Sequence, residues 1–426
     1  MSLKQRVVIT GLGIASPNGI TVDTVHKAFV EGNSGIRHIP QLEDLDFRCQ
    51  IAGQPLIPDN YISRYLNPIQ SRGLIASGLT YGIIAGMDAW KDSGLAQAKS
   101  DVLPLWNTGV IFGAGVSGVD KFREAIYKVD AKNVRRLGST VVIQTMTSGI
   151  SAYLGGLIGA GNWVTTNSSA CGTGTESVRM GYERIALGQA DVILCGSSGD
   201  SGPYIWGGFD AMRILPTAYN DNPGDASRPL SASASGFVPG SGAGALVLES
   251  LDHALERNAT IYAEILGGTS TSGGQRNGGS MTASNSEAVI RCIKKTIEVC
   301  GLQPEEIDLI NGHLTATTRD PVEIDNWCQA LSRYGKDFPL INSSKSLIGH
   351  CLSASGSIEC VLSVLQLYHQ IVYGNRNCED LHPKIENQID RECVPQKARL
   401  HSFRTLLKAS FGFGDINTCL GFRVFD

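Results

Sequence analysis

The sequence predicts an α/β fold with largely parallel sheets, on three observations. Short apolar, β-rich runs alternate with helical stretches along the chain, the pattern of strands joined by crossover helices. No low-complexity block or long polar linker interrupts that alternation. In the second half, three polar loops each follow directly on an apolar run, and the carboxyl ends of parallel strands are where sites assemble.

The expected strands are Val7–Thr10, Val110–Phe112, Val164–Thr166, Val192–Leu194, Ala245–Leu248, Ile261–Ile265, Ile307–Ile310, Leu340–Asn342 and Leu406–Ala409. Among the helices, Ser286–Cys300 sets Val289, Ile290, Ile293 and Ile297 on one face with lysines opposite, a 3.6-residue period. Thr175–Leu187 does the same with Val178, Tyr182 and Ile185. Asp320–Tyr334 opens with Asp320 as N-cap and Pro321 in the first turn, a sound helix start. After the charged stretch Leu248–Arg257, a new strand begins in ATIYAEI. The midpoint of two α/β halves is therefore expected near residue 255, giving 1–255 and 256–426. No strong internal repeat is visible in the sequence.

The 426 residues are 42% hydrophobic and 18% charged, a globular composition with ample length for a large core. A net charge of -4 argues against a nucleic-acid binder. Eleven cysteines, an odd number without CxxC pairs, suit reduced thiols. The start MSLKQRVVITGLG has no apolar signal core, and no run reaches the ~18 apolar residues of a membrane span. A soluble, cytoplasmic protein is expected. The histidines lack HxxxH or HxH spacing, so no metal site is expected. The GxG of TGLGIASPNG lacks the third glycine of a dinucleotide site and reads as a turn.

Cys171 stands apart from the other cysteines. It lies in SSACGTG, between the run Val164–Thr166 and the helix from Thr175. Unpaired amides and the helix dipole favour a thiolate at such a turn, and small neighbours let a substrate approach. The ordinary alternative is a buried structural cysteine. In the second half the three loops are NGHLTATTRD, SSKSLIGH and SFGFGDIN. His313 and His350 can donate hydrogen bonds to a developing enolate oxygen, with Lys345 supplying positive charge. The alternatives are a satisfied loop histidine and a lysine that is exposed or paired with Glu359. Glycines flank Phe413, so its amide can face a substrate while its ring gates a channel.

Taken together, SSACGTG, GHLTATTRDPVE, SSKSLIGH and SFGFGDIN resemble the β-ketoacyl-acyl carrier protein synthase family of the elongating type. The segment Phe209–Glu249 also resembles that family's middle region, and the likeness covers nearly the whole chain. The resemblance implies a thiolase-like fold of two similar α/β halves, with central sheets packed in αβαβα layers. It implies decarboxylative condensation of an acyl-enzyme thioester with malonyl-carrier protein, in fatty acid or polyene/polyketide-type elongation, without a cofactor. By matching position, Cys171 is the acyl-accepting nucleophile, and His313 and His350 bind the malonyl thioester carbonyl. Lys345 organises the site beside Glu359, and Thr315 and Thr317 hold the phosphopantetheine arm. Phe413 is the gate, its amide forming an oxyanion hole with that of Cys171. Leu314, Arg319 and Asp415 depart from the family pattern, each standing where the usual motif has glycine; their effect falls on substrate identity.

The resemblance also implies an acidic acyl carrier protein as partner. The stretch Lys121–Arg136 is the densest basic run of the first half; Lys132 and Arg135 match docking positions best, then Arg64 and Arg72. The alternative is a solvated helix face. A homodimer is expected, with a heterodimer of related subunits as the other form. Two other functions stay open: a non-catalytic partner that sets chain length, and decarboxylation without condensation. Acyl chain length and pathway are not legible.

Overall fold

The computed structural model describes residues 5–99 and 101–426. Ten strands form one sheet: β1 (Val7–Ala15), β2 (Thr108–Ala114), β3 (Val164–Thr165), β4 (Val192–Gly199), β5 (Gly242–Ser250), β6 (Ala263–Ser272), β7 (Leu309–Asn311), β8 (Leu340–Asn342), β9 (Thr405–Gly412) and β10 (Ile416–Arg423). Their order is β8-β7-β9-β10-β6-β1-β5-β4-β2-β3.

This order contains one pattern twice. Numbering the five strands of each set along the chain, β1 to β5 and β6 to β10 both run 3-2-4-5-1. In each set the first two pairings are parallel and the next two antiparallel. The sets meet through a short antiparallel join of Val7–Ile9 with Ala263–Ile265. The sheet is thus mixed, not largely parallel as the alternation of elements predicts. The cause is β5 and β10, which return beside their predecessors, β10 by a tight hairpin through Phe413–Asp415.

Helices make three layers around the two strand sets. α1 (Ser77–Asp92), α2 (Val119–Asp130), α3 (Gly149–Ile158), α4 (Thr173–Ala186), α5 (Pro203–Ala211), α6 (Ser286–Val299), α7 (Asp320–Leu331), α8 (Lys345–Ile348) and α9 (Ser355–His369) are those that matter here. α1 packs on β1, β5 and β4 with α3 beside it; α6 packs on β6 and β10 with α7 beside it. Between the two sets lie α4 and α9, touching strands of both. The layers are therefore αβαβα. Every residue from Ser355 to Leu367 is buried, because α9 has a sheet on both sides and so lacks the polar face of a surface helix.

The middle helices meet where their first turns have almost no side chain. A Cβ on Gly174 would stand 2.2 Å from the amide nitrogen of Ser357, and one on Gly356 would stand 2.5 Å from that of Thr175. Glycine at both positions lets the two N-termini touch backbone to backbone, which brings the residues around 171 next to those around 350.

Element ends differ from the sequence expectation in two places that matter. Arg319, not Asp320, is the N-cap of α7, and the helix ends at Leu331, with Ser332 at φ 56°. Asp320 instead turns back to the loop before it. Strand β7 begins at Leu309 and carries its pairing through Asn311, so His313 follows it by two residues.

Candidate active site

The carboxyl ends of β7, β8 and β9 lie side by side, because β7 pairs in parallel with both neighbours. His313, Lys345 and Phe413 follow these three ends. Cys171 comes from the other strand set, in a tight turn, Ala170–Gly172, immediately before α4. Ala170 there has φ 47°, a left-handed conformation that costs free energy in a residue other than glycine and marks an enforced turn. Gly412 lies against it: a Cβ at 412 would stand 3.1 Å from the amide nitrogen of Cys171.

The predicted set converges. Cys171 Sγ, a His313 nitrogen and a His350 nitrogen all lie within 4.8 Å of one another. His350 Nε2 is 3.1 Å from Cys171 Sγ. The Leu352 amide donates to His350 Nδ1 at 3.2 Å, and Ser355 Oγ is 2.8 Å from the same atom. A ring nitrogen that accepts an N–H carries no proton when neutral, so the proton is on Nε2, aimed at the sulfur. The His313 ring stands edge-on to that of His350, centroids 5.5 Å apart. Its Nδ1 is buried without a partner. Three such ligand atoms resemble a metal set, but 3.1 Å between S and N is hydrogen-bond contact, whereas two ligands of one tetrahedral zinc lie ~3.5 Å apart.

Burial sets the protonation of all three. It holds both histidines well below the usual imidazole range, helped by the charges of Lys345 and Lys408. Burial also pushes the Cys171 thiol up, against the hydrogen bond from the Phe413 amide and the charge of Lys345. In the resting site burial therefore opposes the thiolate expected from the sequence and outweighs the backbone amides. The Phe413 and Cys171 amides act in the opposite sense, lowering the thiol.

Lys345, fully buried, pairs with one carboxylate oxygen of Glu359 on α9. The ion pair anticipated from the sequence is present. The other oxygen takes Lys408, 2.9 Å away and also fully buried. The sequence motifs do not single out Lys408, although it leaves a signal there: one lysine inside the apolar strand TLLKASFG.

Thr315 and Thr317 face the same cavity, their hydroxyls 3.2 Å apart. Two acids of α7 hold their loop. Asp320 accepts the amides of Thr315, Ala316 and Thr317, and Ala316 has φ 62°. Glu323 accepts those of His313 and Leu314 at 2.7 and 2.8 Å. Burial raises the Glu323 carboxyl to about 7 despite these bonds. The sequence alone assigns neither acid this task.

The three departures also find places. Leu314 is fully buried in the core beneath the loop. Arg319 donates to the Ser284 carbonyl at 2.7 Å. Asp415, at φ 61°, accepts the amides of Gln275 and Asn285. Arg319 and Asp415 thus fasten the segment 273–285, whose residues Thr282–Ser284 line the cavity.

That cavity has a volume of about 880 Å³ and exposes Cys171, His313, His350 and Phe413. Phe209 and Phe413 face each other across it, ring centroids 6.4 Å apart. The basic stretch 121–136 divides. Lys121 is buried against Glu124, and Lys128 pairs with the same acid, so neither is free for a partner. Lys132 and Arg135 are exposed, as are Arg64 and Arg72. Arg123 stacks on Tyr204, 4.6 Å from its ring centroid, and Tyr204 lines the cavity. Among the described residues no helix is long and apolar enough to cross a membrane.

Comparison with known proteins agrees with this geometry. Residues 4–254 match the family model for the β-ketoacyl synthase N-terminal domain, and residues 262–379 match that for the C-terminal domain. The chain is 33% identical over 423 residues to 3-oxoacyl-[acyl-carrier-protein] synthase 2 of Vibrio harveyi, covering 99% of each. A β-ketoacyl synthase crystal structure from Burkholderia phymatum STM815 superposes with TM-score 0.87 at 26% identity, over 99% of this chain and 100% of that one. A type II polyketide ketosynthase bound to a hexaketide, in complex with its acyl-carrier protein, gives TM-score 0.85 at 26% identity, with the same coverage. Both halves of the fold and the juxtaposed thiol and imidazoles lead to one conclusion: the chain belongs to the β-ketoacyl synthase family, as a condensing acyltransferase of the Cys–His–His type.

Proposed function

We propose that the protein is a 3-oxoacyl-[acyl-carrier-protein] synthase, joining an acyl group held on Cys171 to a malonyl unit delivered by acyl carrier protein. The observation that carries this reading is the sulfur of Cys171, which meets an imidazole N–H of His350 at 3.1 Å. The thiol attacks the acyl-carrier thioester, and the amides of Cys171 and Phe413 hold the oxyanion. The C–S bond to the carrier arm breaks, and the thiol proton of Cys171 leaves on that arm. Malonyl-carrier protein then loses carbon dioxide. The electron pair of its C–C bond delocalises onto the thioester oxygen, held by the N–H groups of His313 and His350. The enolate carbon attacks acyl-Cys171, the C–S bond breaks with its electron pair on sulfur, and the Cys171 thiolate takes a proton from water to restore the thiol. Histidines kept neutral by burial suit this task, since they give a hydrogen bond without giving up a proton. No step calls for a metal or an organic cofactor.

Thr315 and Thr317 are proposed to bind the pantetheine arm, and Lys345 with Glu359 to order the floor of the site. An acidic carrier would dock on Lys132 and Arg135, with Arg64 and Arg72 flanking. A homodimer is proposed through β3, which among the described residues pairs with β2 alone and leaves Val164 37% exposed; such an edge is open to a second copy. The two halves are taken as 1–255 and 256–426, and a cytoplasmic location is proposed. A chain-length-setting subunit without catalysis is disfavoured, because the thiol and both imidazoles are retained in contact.

The test is a reconstituted assay offering several acyl-carrier donors with malonyl-carrier protein. His350→Ala and His313→Ala should each lose about 10²–10³-fold in condensation, the usual cost of an oxyanion donor, while still accepting acyl groups on Cys171. Wild-type protein that releases carbon dioxide but forms no longer chain would favour decarboxylation alone and overturn the proposal.

A further inference from the structure

Lys408 has an unusual setting. It is fully buried in the middle of β9, between Leu407 and Ala409. A lone ammonium there is costly to desolvate unless every N–H is met and its charge is answered. Two N–H groups are met, by the Ala409 carbonyl and by Ser410 Oγ at 3.1 Å, while Glu359 Oε2 lies 2.9 Å away as an ion pair without hydrogen-bond geometry. Ser410 is in turn held by Thr175 Oγ1 at 2.8 Å, in the first turn of α4. The charge is not answered in full. Glu359 has one negative charge and already pairs with Lys345 through its other oxygen.

We propose that Lys408 is a positioning residue of the condensation site: as the second cation on Glu359, it gives the Lys345–Glu359–Lys408 group one net positive charge, set against the acids Asp320 and Glu323 around Cys171, His313 and His350. This goes beyond the function proposed above, which needs only Lys345 and Glu359, and rests on it for the steps it would assist. With Lys345 alone, Glu359 would be cancelled. The ionisable groups around the cluster would then be the acids of α7, Asp320 and Glu323, and the site would disfavour every anion formed during the reaction. The charged groups facing the cluster are Lys345 from α8, Glu359 from α9, Lys408 from β9, and Asp320 and Glu323 from α7, with the buried thiols of Cys351, Cys360 and Cys419 beside them. Lys345 and Lys408 both disfavour protonation of His313 and His350. Cys171 is acted on by Lys345, which favours its thiolate, and by Glu359, which disfavours it; Lys408 acts there by offsetting Glu359, and the same charge favours the tetrahedral oxyanion and the malonyl-derived enolate.

Charge counting gives the test, because two substitutions shift the count in opposite directions. Lys408→Met removes the surplus cation, Glu359→Gln adds one, and the two together restore the wild-type count. The readout is the pH-dependent rate of iodoacetamide alkylation at Cys171, followed on its peptide by mass spectrometry. It needs no carrier or acyl donor, so it stands whether or not the protein condenses. The other ten cysteines are buried and serve as the internal contrast. Lys408→Met should slow alkylation near pH 8 about tenfold, equivalent to a one-unit rise in the thiol pKa. Glu359→Gln should speed it, and the double variant should return to within roughly threefold of wild type, since equal and opposite charge changes cancel to first order. Lys408→Arg keeps the charge and should stay near wild type. If Lys408→Met does not fold, Glu359→Gln and the double variant decide the matter. Alkylation unchanged or slowed in Glu359→Gln, or a double variant no nearer to wild type than Lys408→Met, would show a purely structural lysine and overturn the proposal.

Discussion

Asp415 Oδ1 accepts the amide of Asn285 at 2.8 Å, and Oδ2 of the same carboxylate accepts the amide of Gln275 at 3.0 Å. One buried side chain thus closes both ends of the segment 273–285, directly beside the Phe413 turn. The segment has no room for a slack fit: a Cβ on Gly273 or Gly279 would strike this carboxylate at 2.1 or 2.4 Å.

Asp415→Gly tests that clasp. The position has φ 61°, which glycine adopts freely, so the fold should persist. Hydrogen bonds to a charged group contribute about 1.5–3 kcal/mol each, so the Gln275 and Asn285 amides should exchange with solvent at least ~10-fold faster. Hydrogen–deuterium exchange resolved to residues 273–285 reads this directly. Protection equal to wild type would mean that other contacts hold the segment.

The crossing of α4 and α9 should be intolerant of any side chain. Gly174→Ala places a methyl 2.2 Å from a backbone nitrogen of the facing helix, which only backbone movement can relieve. Overpacking of this kind costs about 1–3 kcal/mol. A lowered Tm with loss of condensation is expected, since the same crossing sets Cys171 against His350. A variant with wild-type Tm and activity would show that the helices can part without harm to the site.

Much of this arrangement is legible in the sequence. Cys171, His313, His350 and Phe413 each sit in a loop that follows an apolar run, and chain order alone marks such loops. What is not legible is what acts across the sheet. Lys408 meets Glu359 only because β9 and α9 pack together, and Asp320 turns back to its own loop although its position reads as a cap. The antiparallel members of the sheet also escape a sequence reading, because a strand's direction is not encoded in its composition. The thiol's environment is misjudged for a related reason. A helix start can be read from sequence, but the desolvation that outweighs it depends on the surrounding layers.

The pH response of the thiol follows from that burial. A thiol desolvated at the cavity wall and pushed above its ordinary range is protonated at neutral pH, so thiolate appears only as pH rises through the raised value. Alkylation of Cys171 in substrate-free protein should therefore keep climbing beyond about pH 9, past the ordinary thiol range. The two histidines, held well below their usual range, should add no step near their ordinary value of about 6.5. A plateau reached below about pH 7 would mean that the thiolate is already formed at rest.

The most direct measurement is peptide-resolved mass spectrometry after incubation with an acyl-loaded carrier protein and no malonyl donor. The acyl mass should appear on the peptide carrying Cys171, should be absent from Cys171→Ala, and should vanish when malonyl-carrier protein is added and the extended chain is released. An acyl group found on another residue, or turnover that survives Cys171→Ala, would contradict the account.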